Sequence, residues 1–157
     1  MPEKDFRFES PELLNKSHYN LGREKPVIFR CIDSRQDRAF DAWLAAHDWF
    51  HKDYFIVPGG ARMFVTTNSG ELPLRQAWFE WCRFVYSAHG ARWFIITGHS
   101  HCGDYARSVG AFPDDQTEEA RVTSDLAKAR KDLQEELGRG VTVEACYVDG
   151  RGIHPVA

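Results

Sequence analysis

Four short apolar runs alternate with segments of helical periodicity along the chain, and this order constrains the fold more than any other feature. The runs are rich in β-branched and aromatic residues, as buried strands are. They read KPVIFRCID, YFIV, ARWFIITGH and VTVEACYV. Strands that alternate with helices in this way form a mainly parallel sheet. The sequence therefore predicts an α/β fold with a mainly parallel central sheet flanked by helices.

Apolar residues at helical spacing predict three helices between these strands. The helices run from Gln36 to about His51, from Pro73 to Ala88, and from about Asp115 to Leu137. Gly138 stands where a glycine often ends a helix. The second helix contains WFEWCRFVY, which has more aromatic residues than one core-facing stripe needs. We therefore expect this helix to contribute to both the core and a dimer contact.

The first 25 residues are predicted to form an N-terminal helical arm. Ser10 is a suitable N-cap, and Pro11 then takes the first position of a short helix, PELLNKSH. Residues 26–157 are predicted to form a single α/β domain, because 157 residues fit one compact domain and no linker interrupts them.

Charge and hydropathy exclude several classes of function. The net charge is −3 and both signs are scattered, so we predict neither a nucleic-acid surface nor a basic membrane-binding helix. No apolar run approaches the roughly 20 residues that cross a bilayer. The first residues lack the basic-then-apolar order of a signal peptide. We therefore expect a cytoplasmic protein whose four cysteines are reduced.

Side chains that can bind a metal follow the first and third strands. Cys31 closes the first strand, and His99 and Cys102 lie in HSHC at the end of the third. In sheets of this kind, ligands bind at the carboxyl ends of the strands. Two thiolates and an imidazole suit zinc, and three protein ligands leave a fourth position open for catalysis. The two strand ends therefore predict a catalytic zinc site.

Asp33 and Arg35 extend this site. They lie two residues apart in CIDSR, so their side chains can point the same way and form a hydrogen-bonded pair. The arginine would keep the aspartate ionised beside the metal. Asp33 could then accept a hydrogen bond from a zinc-bound hydroxide, or it could move in as a fourth ligand.

Together, CIDSR and GHSHCG resemble the signature of the β-class carbonic anhydrases, Cys-x-Asp-x-Arg followed by His-x-x-Cys. The resemblance implies that Cys31, His99 and Cys102 bind Zn²⁺ and that Asp33 and Arg35 form an orienting dyad. It implies an enzyme that reversibly hydrates carbon dioxide to bicarbonate with zinc-bound hydroxide. It also implies a homodimer or higher homo-oligomer, with the N-terminal arm around the partner subunit.

The resemblance is looser elsewhere in the chain. FIVPGGAR stands where the family has its second strand and a glycine-containing loop, and ACYVDGRG stands where it has its last core strand and turn. The family commonly has Arg-Asn-Ala-Gly after the second strand, and this chain has Val57-Pro58-Gly59-Gly60. We expect a plain turn at these glycines. This departure leaves both substrate and turnover open.

Other functions remain open for the same residues. The zinc site could hydrolyse carbonyl sulfide or carbon disulfide, or it could stabilise a regulatory protein without turnover. Cys31 and Cys102 could instead form a redox pair, or be buried thiols beside a satisfied histidine. Asp33 and Arg35 could form a purely structural ion pair.

The remaining histidines and cysteines carry weaker hypotheses. His101 is a candidate proton shuttle, because histidine titrates near neutral pH. His47 and His51 have the spacing of a second metal site, but no acidic or cysteine partner is evident, so a helix-surface or interface role is favoured. Cys82 and Cys146 lie in an apolar helix face and a strand, and we predict that they only pack.

Overall fold

The computed structural model describes residues 26–47 and 52–157. These residues form one five-stranded sheet in the order β2-β1-β3-β4-β5. The strands are β1 Val27–Arg30, β2 Asp53–Ile56, β3 Trp93–His99, β4 Thr142–Asp149 and β5 Gly152–Val156. The first four pair in parallel, and β5 runs antiparallel to β4. The predicted α/β fold with a mainly parallel sheet is confirmed.

Helices connect the parallel strands. In the described part of the chain they are α1 Asp37–Ala46, α2 Leu72–Ala88, α3 Gly103–Val109 and α4 Asp115–Leu137, with short 3-10 helices at Ser34–Gln36 and Gly60–Phe64. The predicted bounds of α4 agree with the structure, and α2 begins one residue before its predicted start. α3 was not predicted. β5 is not among the four predicted strands, and the turn at Gly150 and Arg151 folds it back onto β4.

The core lies on both faces of the sheet. Alternate residues of a strand point to opposite faces, so Phe29 of β1 packs towards α2 and α4 while Ile28 packs towards α1. A sheet covered on both faces needs continuous apolar strands, which is the pattern of the four predicted runs. Cys82 and Cys146 are buried in these clusters at 0% and 3% exposure, as expected for packing residues.

The outer face of α2 exposes much of the aromatic surplus of this helix. Trp81 and Phe84 are 52% and 49% exposed, and their rings meet edge to face with centroids 6.0 Å apart. Leu72 and Leu74 on the same helix are also exposed. Trp78 and Phe79 pack against the core instead. The helix therefore supplies both core aromatics and an exposed apolar surface.

Some predictions concern residues outside the described ranges. The N-terminal arm, residues 1–25, is one of them, and His51 is another. The described part of the first long helix ends at Ala46, followed by His47. Within the described ranges, no helix combines the length and apolarity that a membrane span requires.

Candidate metal centre

The parallel pairing of β1 with β3 brings the predicted ligands together. Cys31 is the first residue beyond β1, His99 is the last residue of β3, and Cys102 is the N-cap of α3. The carboxyl ends of parallel neighbours lie at the same edge of the sheet. The two sulfur atoms and a ring nitrogen of His99 all lie within 4.8 Å of one another. All three residues are buried, at 4%, 4% and 2% exposure.

The orientation of His99 is fixed by the backbone next to it. Its Nδ1 atom lies 2.8 Å from the carbonyl oxygen of Ser100, which can only accept, so Nδ1 carries the proton. Nε2 then bears a lone pair. This atom is buried and has no hydrogen-bond partner among the described residues. Buried polar atoms are rarely left unpaired, so the donor set fits a metal ion better than it fits a closed hydrogen-bond network.

The two thiols of the cluster are electrostatically linked. A hydrogen bond from Cys102 lowers the pKa of Cys31, and the same contact, together with burial, raises the pKa of Cys102. The thiolate is the metal-binding form of cysteine. All four cysteines of the chain are free thiols in the structure. One ligand of the set is therefore favoured as a thiolate before any metal arrives.

Asp33 and Arg35 form the predicted pair. The Arg35 Nε atom lies 2.9 and 3.0 Å from the two Asp33 carboxylate oxygens, and the Arg35 backbone N–H donates to Oδ1 at 3.0 Å. The guanidinium lowers the pKa of Asp33 to about 2, so this carboxylate is ionised at neutral pH. Arg35 also donates to the carbonyl oxygen of His101 at 3.0 Å. The pair thus links the end of β1 to the turn that carries the other two predicted ligands, His99 and Cys102.

A cleft of about 170 Å³ opens beside this cluster. Arg35, His99 and His101 line it together with apolar Ala39 and Val148. His101 has a positive φ of 54° and an exposed ring, which faces Asp115 at 3.8 Å and Glu118 at 3.6 Å. The ring is thus within reach of solvent and of two carboxylates, and its role as a proton shuttle stays a prediction.

The glycine turn after β2 does more than reverse the chain. Gly59 and Gly60 have φ values of +76° and +55°, and the chain continues into a buried 3-10 helix, Gly60–Phe64. A Cβ on Gly60 would lie 2.5 Å from the carbonyl oxygen of Thr97 in β3. The expected plain turn is therefore packed closely against the backbone at the carboxyl ends of β1 and β3. Two consecutive glycines were the available sequence signal for it.

Sequence reasoning missed an ionic cluster beside the ligands. Arg62, from the buried 3-10 helix, pairs with Glu71 and with Asp104 of α3. The partners Arg62 and Asp104 are 42 residues apart in the chain. No local pattern predicts such a pair, because each residue alone is compatible with an exposed loop or helix.

Comparison with solved structures identifies proteins of similar fold. No family model matches the sequence, and no curated protein matches it. The β-carbonic anhydrase CafA of Aspergillus fumigatus matches with a TM-score of 0.61 at 15% identity, over 92% of this chain and 80% of that one. The carbonic anhydrase of Glaciozyma antarctica gives a TM-score of 0.56 at 12% identity, over 96% and 98%. A tetrameric β-carbonic anhydrase of Sordaria macrospora gives 0.56 at 13% identity, over 91% and 86%.

The fold and the cluster first define a class: a mainly parallel α/β protein with cysteine and histidine side chains grouped at the carboxyl ends of neighbouring strands. The matched structures make the class more specific. The chain has the fold of the β-carbonic anhydrases, at 12 to 15% sequence identity to the three structures compared. The resemblance predicted from the two motifs is confirmed at the level of the fold.

Proposed function

We propose that this chain is a zinc-dependent carbonic anhydrase that reversibly hydrates carbon dioxide to bicarbonate. The observation that carries the proposal is the His99 Nε2 atom, which is buried without a partner in the described chain and grouped with the sulfur atoms of Cys31 and Cys102. Cysteine and histidine are the ligands that zinc prefers. The proposed ligands are therefore Cys31, His99 and Cys102.

A zinc ion held by Cys31, His99 and Cys102 would supply hydroxide near neutral pH. The ionised carboxylate of Asp33 would accept a hydrogen bond at this site and orient the group that donates it. Arg35 holds Asp33 in place through its guanidinium and its backbone N–H. The apolar side chains of Ala39 and Val148 line the adjoining cleft, which suits a small uncharged substrate such as carbon dioxide.

The matched structures support the same reaction. Those from Aspergillus fumigatus, Glaciozyma antarctica and Sordaria macrospora are described as carbonic anhydrases. The grouping of Cys31, His99 and Cys102 at one edge of the sheet supports this proposal. Carbon dioxide and bicarbonate are therefore the proposed substrate and product.

Stopped-flow carbon dioxide hydration with a pH indicator tests this proposal on protein of measured zinc content. We expect about one zinc per chain and clear turnover, with zinc lost in Cys102→Ala. Turnover should be lost with zinc retained in Asp33→Ala. Cys146→Ala is the matched control, because this buried thiol packs away from the cluster. Absence of zinc from protein purified without chelator would overturn the metal centre.

Full zinc without carbon dioxide turnover would overturn the hydratase alone. Carbonyl sulfide and carbon disulfide would then be the next substrates to assay. If neither compound is hydrolysed, the remaining interpretation is a regulatory zinc protein without turnover.

We further propose a homodimer or higher homo-oligomer. The exposed apolar side chains of α2, among them Trp81 and Phe84, support self-association. The Sordaria macrospora protein that matches this fold is described as tetrameric. Sedimentation velocity over a range of concentrations tests the proposal, and a monomer at every concentration would contradict it. The cytoplasmic location and the boundary between arm and domain stay predictions.

A further inference from the structure

An ionic cluster of two arginines and two carboxylates, buried except for Arg107, lies next to the candidate metal centre. Arg62 donates to both oxygens of Glu71 at 2.9 and 3.0 Å, and its Nε donates to Asp104 Oδ2 at 2.5 Å. Arg107 completes the ring, with Nη2 at 2.7 Å from Asp104 Oδ1 and 3.1 Å from Glu71 Oε1. The side chains of Arg62 and Asp104 are only 4% and 8% exposed. Arg62, Asp104 and Glu71 compensate one another's charge in the interior, and the exposed Arg107 closes the cluster from the solvent side.

Asp104 connects this cluster to the proposed ligand Cys102. Cys102 is the N-cap of α3, and Asp104 lies in the first turn of the same helix. Because Arg62 and Arg107 both donate charge-assisted hydrogen bonds to the Asp104 carboxylate, they hold the first turn of α3 in place. The backbone position of Cys102 is therefore tied to the contacts that Asp104 makes.

Asp104 also contacts the turn after β2. A Cβ on Gly59 would lie 2.4 Å from Asp104 Oδ2 and 3.2 Å from Arg62 Nε, so the carboxylate rests directly against this glycine. On the far side of the turn, a Cβ on Gly60 would lie 3.2 Å from the backbone nitrogen of Cys31. The Gly59–Gly60 turn is thus packed between Asp104 and the first proposed ligand.

We propose that Asp104 is a positioning residue for the metal centre. Its carboxylate, held by Arg62 and Arg107, sets the separation of Cys31 and Cys102 by fixing both the start of α3 and the glycine turn. This inference rests on the proposed zinc site and extends it to residues outside the ligand set and the dyad. Side chains that orient metal ligands typically change metal affinity by 10- to 100-fold when removed.

A cluster that only stabilised the fold would behave differently. Its loss would lower the melting temperature of the metal-free chain without changing the affinity for zinc. The matched control is Asp132 of α4, which also joins two helices: it pairs with Arg75 of α2 at 3.3 Å and with Lys128 at 2.5 Å. Asp132→Asn removes a comparable carboxylate in a part of the molecule that does not contact the ligands.

The test measures zinc affinity by chelator competition, and thiolate-to-cobalt charge-transfer absorption of the Co²⁺-loaded chain. We expect Asp104→Asn to raise the zinc Kd by about 10- to 100-fold and to shift or weaken the charge-transfer band. Asp132→Asn should leave the Kd within about twofold, since distant sites act independently. Melting temperatures of the metal-free proteins separate these effects from general destabilisation.

A second variant keeps the test informative if Asp104→Asn does not fold. Arg107 is 63% exposed at its side chain, so Arg107→Gln should fold. It should raise the zinc Kd by about threefold, because Arg62 still holds Asp104.

Unchanged affinity and an unchanged cobalt spectrum in the folded variants would overturn the role of Asp104 while leaving the zinc site standing. A wild-type chain that binds no zinc would overturn both. Zinc binding without hydratase activity would refute the reaction alone, since this test reads only the metal.

Discussion

The Nδ1 atom of His99 donates to the carbonyl oxygen of Ser100 at 2.8 Å, and this contact leaves Nε2 as the ring nitrogen that can bind a metal. Because Nδ1 holds the proton, Nε2 keeps a lone pair, and this atom is buried without a partner among the described residues. A ligand whose tautomer is already set by the backbone loses little freedom on binding a metal. The backbone next to His99 therefore sets the tautomer that the proposed metal site requires.

Replacing His99 should remove the metal. In His99→Gln we expect zinc content to fall from about one per chain to near zero, because two sulfur atoms alone do not complete the set. Atomic absorption on protein purified without chelator measures it. His47→Gln is the control: its Nδ1 contacts the carbonyl oxygen of Trp43 within α1, and its zinc content should not change. A His99→Gln chain with full zinc would contradict the proposed ligand set.

Replacing Arg35 should separate turnover from metal binding. Arg35→Lys keeps the positive charge but loses the planar contacts of the guanidinium to both Asp33 oxygens. We expect the hydration rate to fall by about 100-fold, with zinc content unchanged. Stopped-flow assays on zinc-quantified protein measure both.

The control for Arg35→Lys is Arg83→Lys. Arg83 also pairs with a carboxylate, Glu136, but lies on the exposed side of α2. Its variant should keep the wild-type rate. Equal rates for wild type and Arg35→Lys would show that the pair is structural only, as the alternative interpretation holds.

The glycine turn gives a test of stability. Gly60→Ala combines a φ of +55° with a Cβ 2.5 Å from a backbone oxygen that cannot move aside easily. We expect a loss of about 1–3 kcal/mol in the free energy of unfolding from the strained backbone alone. Gly140→Ala is the control, because no atom lies within 4 Å of its added Cβ. Urea titration measures the stability of both variants. Equal stabilities of Gly60→Ala and Gly140→Ala would contradict the close packing of Gly60 against the backbone of β1 and β3.

The sequence predicts those parts of the fold that depend on local patterns. α4 carries a full stripe of buried residues, including Val122, Leu126 and Leu133, and its bounds are predicted correctly. α3 has seven residues and buries only Tyr105, so it has no stripe to detect. β5 contains Pro155, which cannot donate to a strand ladder and reads as a breaker. Its position at the sheet edge makes the proline acceptable there.

The same distinction holds for the candidate site. Cys31 and Cys102 could be assigned to one place because strand ends of a parallel sheet share an edge. The contact between Arg62 and Asp104 could not, since it joins a turn and a helix that no rule of periodicity relates. Ion pairs between residues far apart in the chain cannot be predicted from local sequence patterns. Such pairs lie beside the turn that carries the proposed ligands His99 and Cys102.

The ion pair of Glu71 with Arg62 can be tested by measuring the free energy of unfolding at acidic pH. Hydrogen bonds from Arg62 and Thr66 hold the pKa of Glu71 at about 2, below its ordinary value of 4.5. A carboxyl group with a lowered pKa in the folded state stabilises the protein above its unfolded pKa and loses that contribution as it protonates. The contribution of Glu71 is thus fully present above pH 4.5 and disappears as the pH falls towards 2.

Urea unfolding of wild type and Glu71→Gln at pH 6, 4 and 3 tests this expectation. At pH 6 the variant should be less stable by about 3 kcal/mol, because the buried Arg62 loses a charged partner. The difference should shrink steadily from pH 4 downwards, since the wild-type carboxylate then protonates in the unfolded chain first. Glu135→Gln, at an exposed position, should stay within about 0.5 kcal/mol of wild type at each pH. A constant difference between wild type and Glu71→Gln at all three pH values would show that the ionised carboxylate of Glu71 does not stabilise the fold.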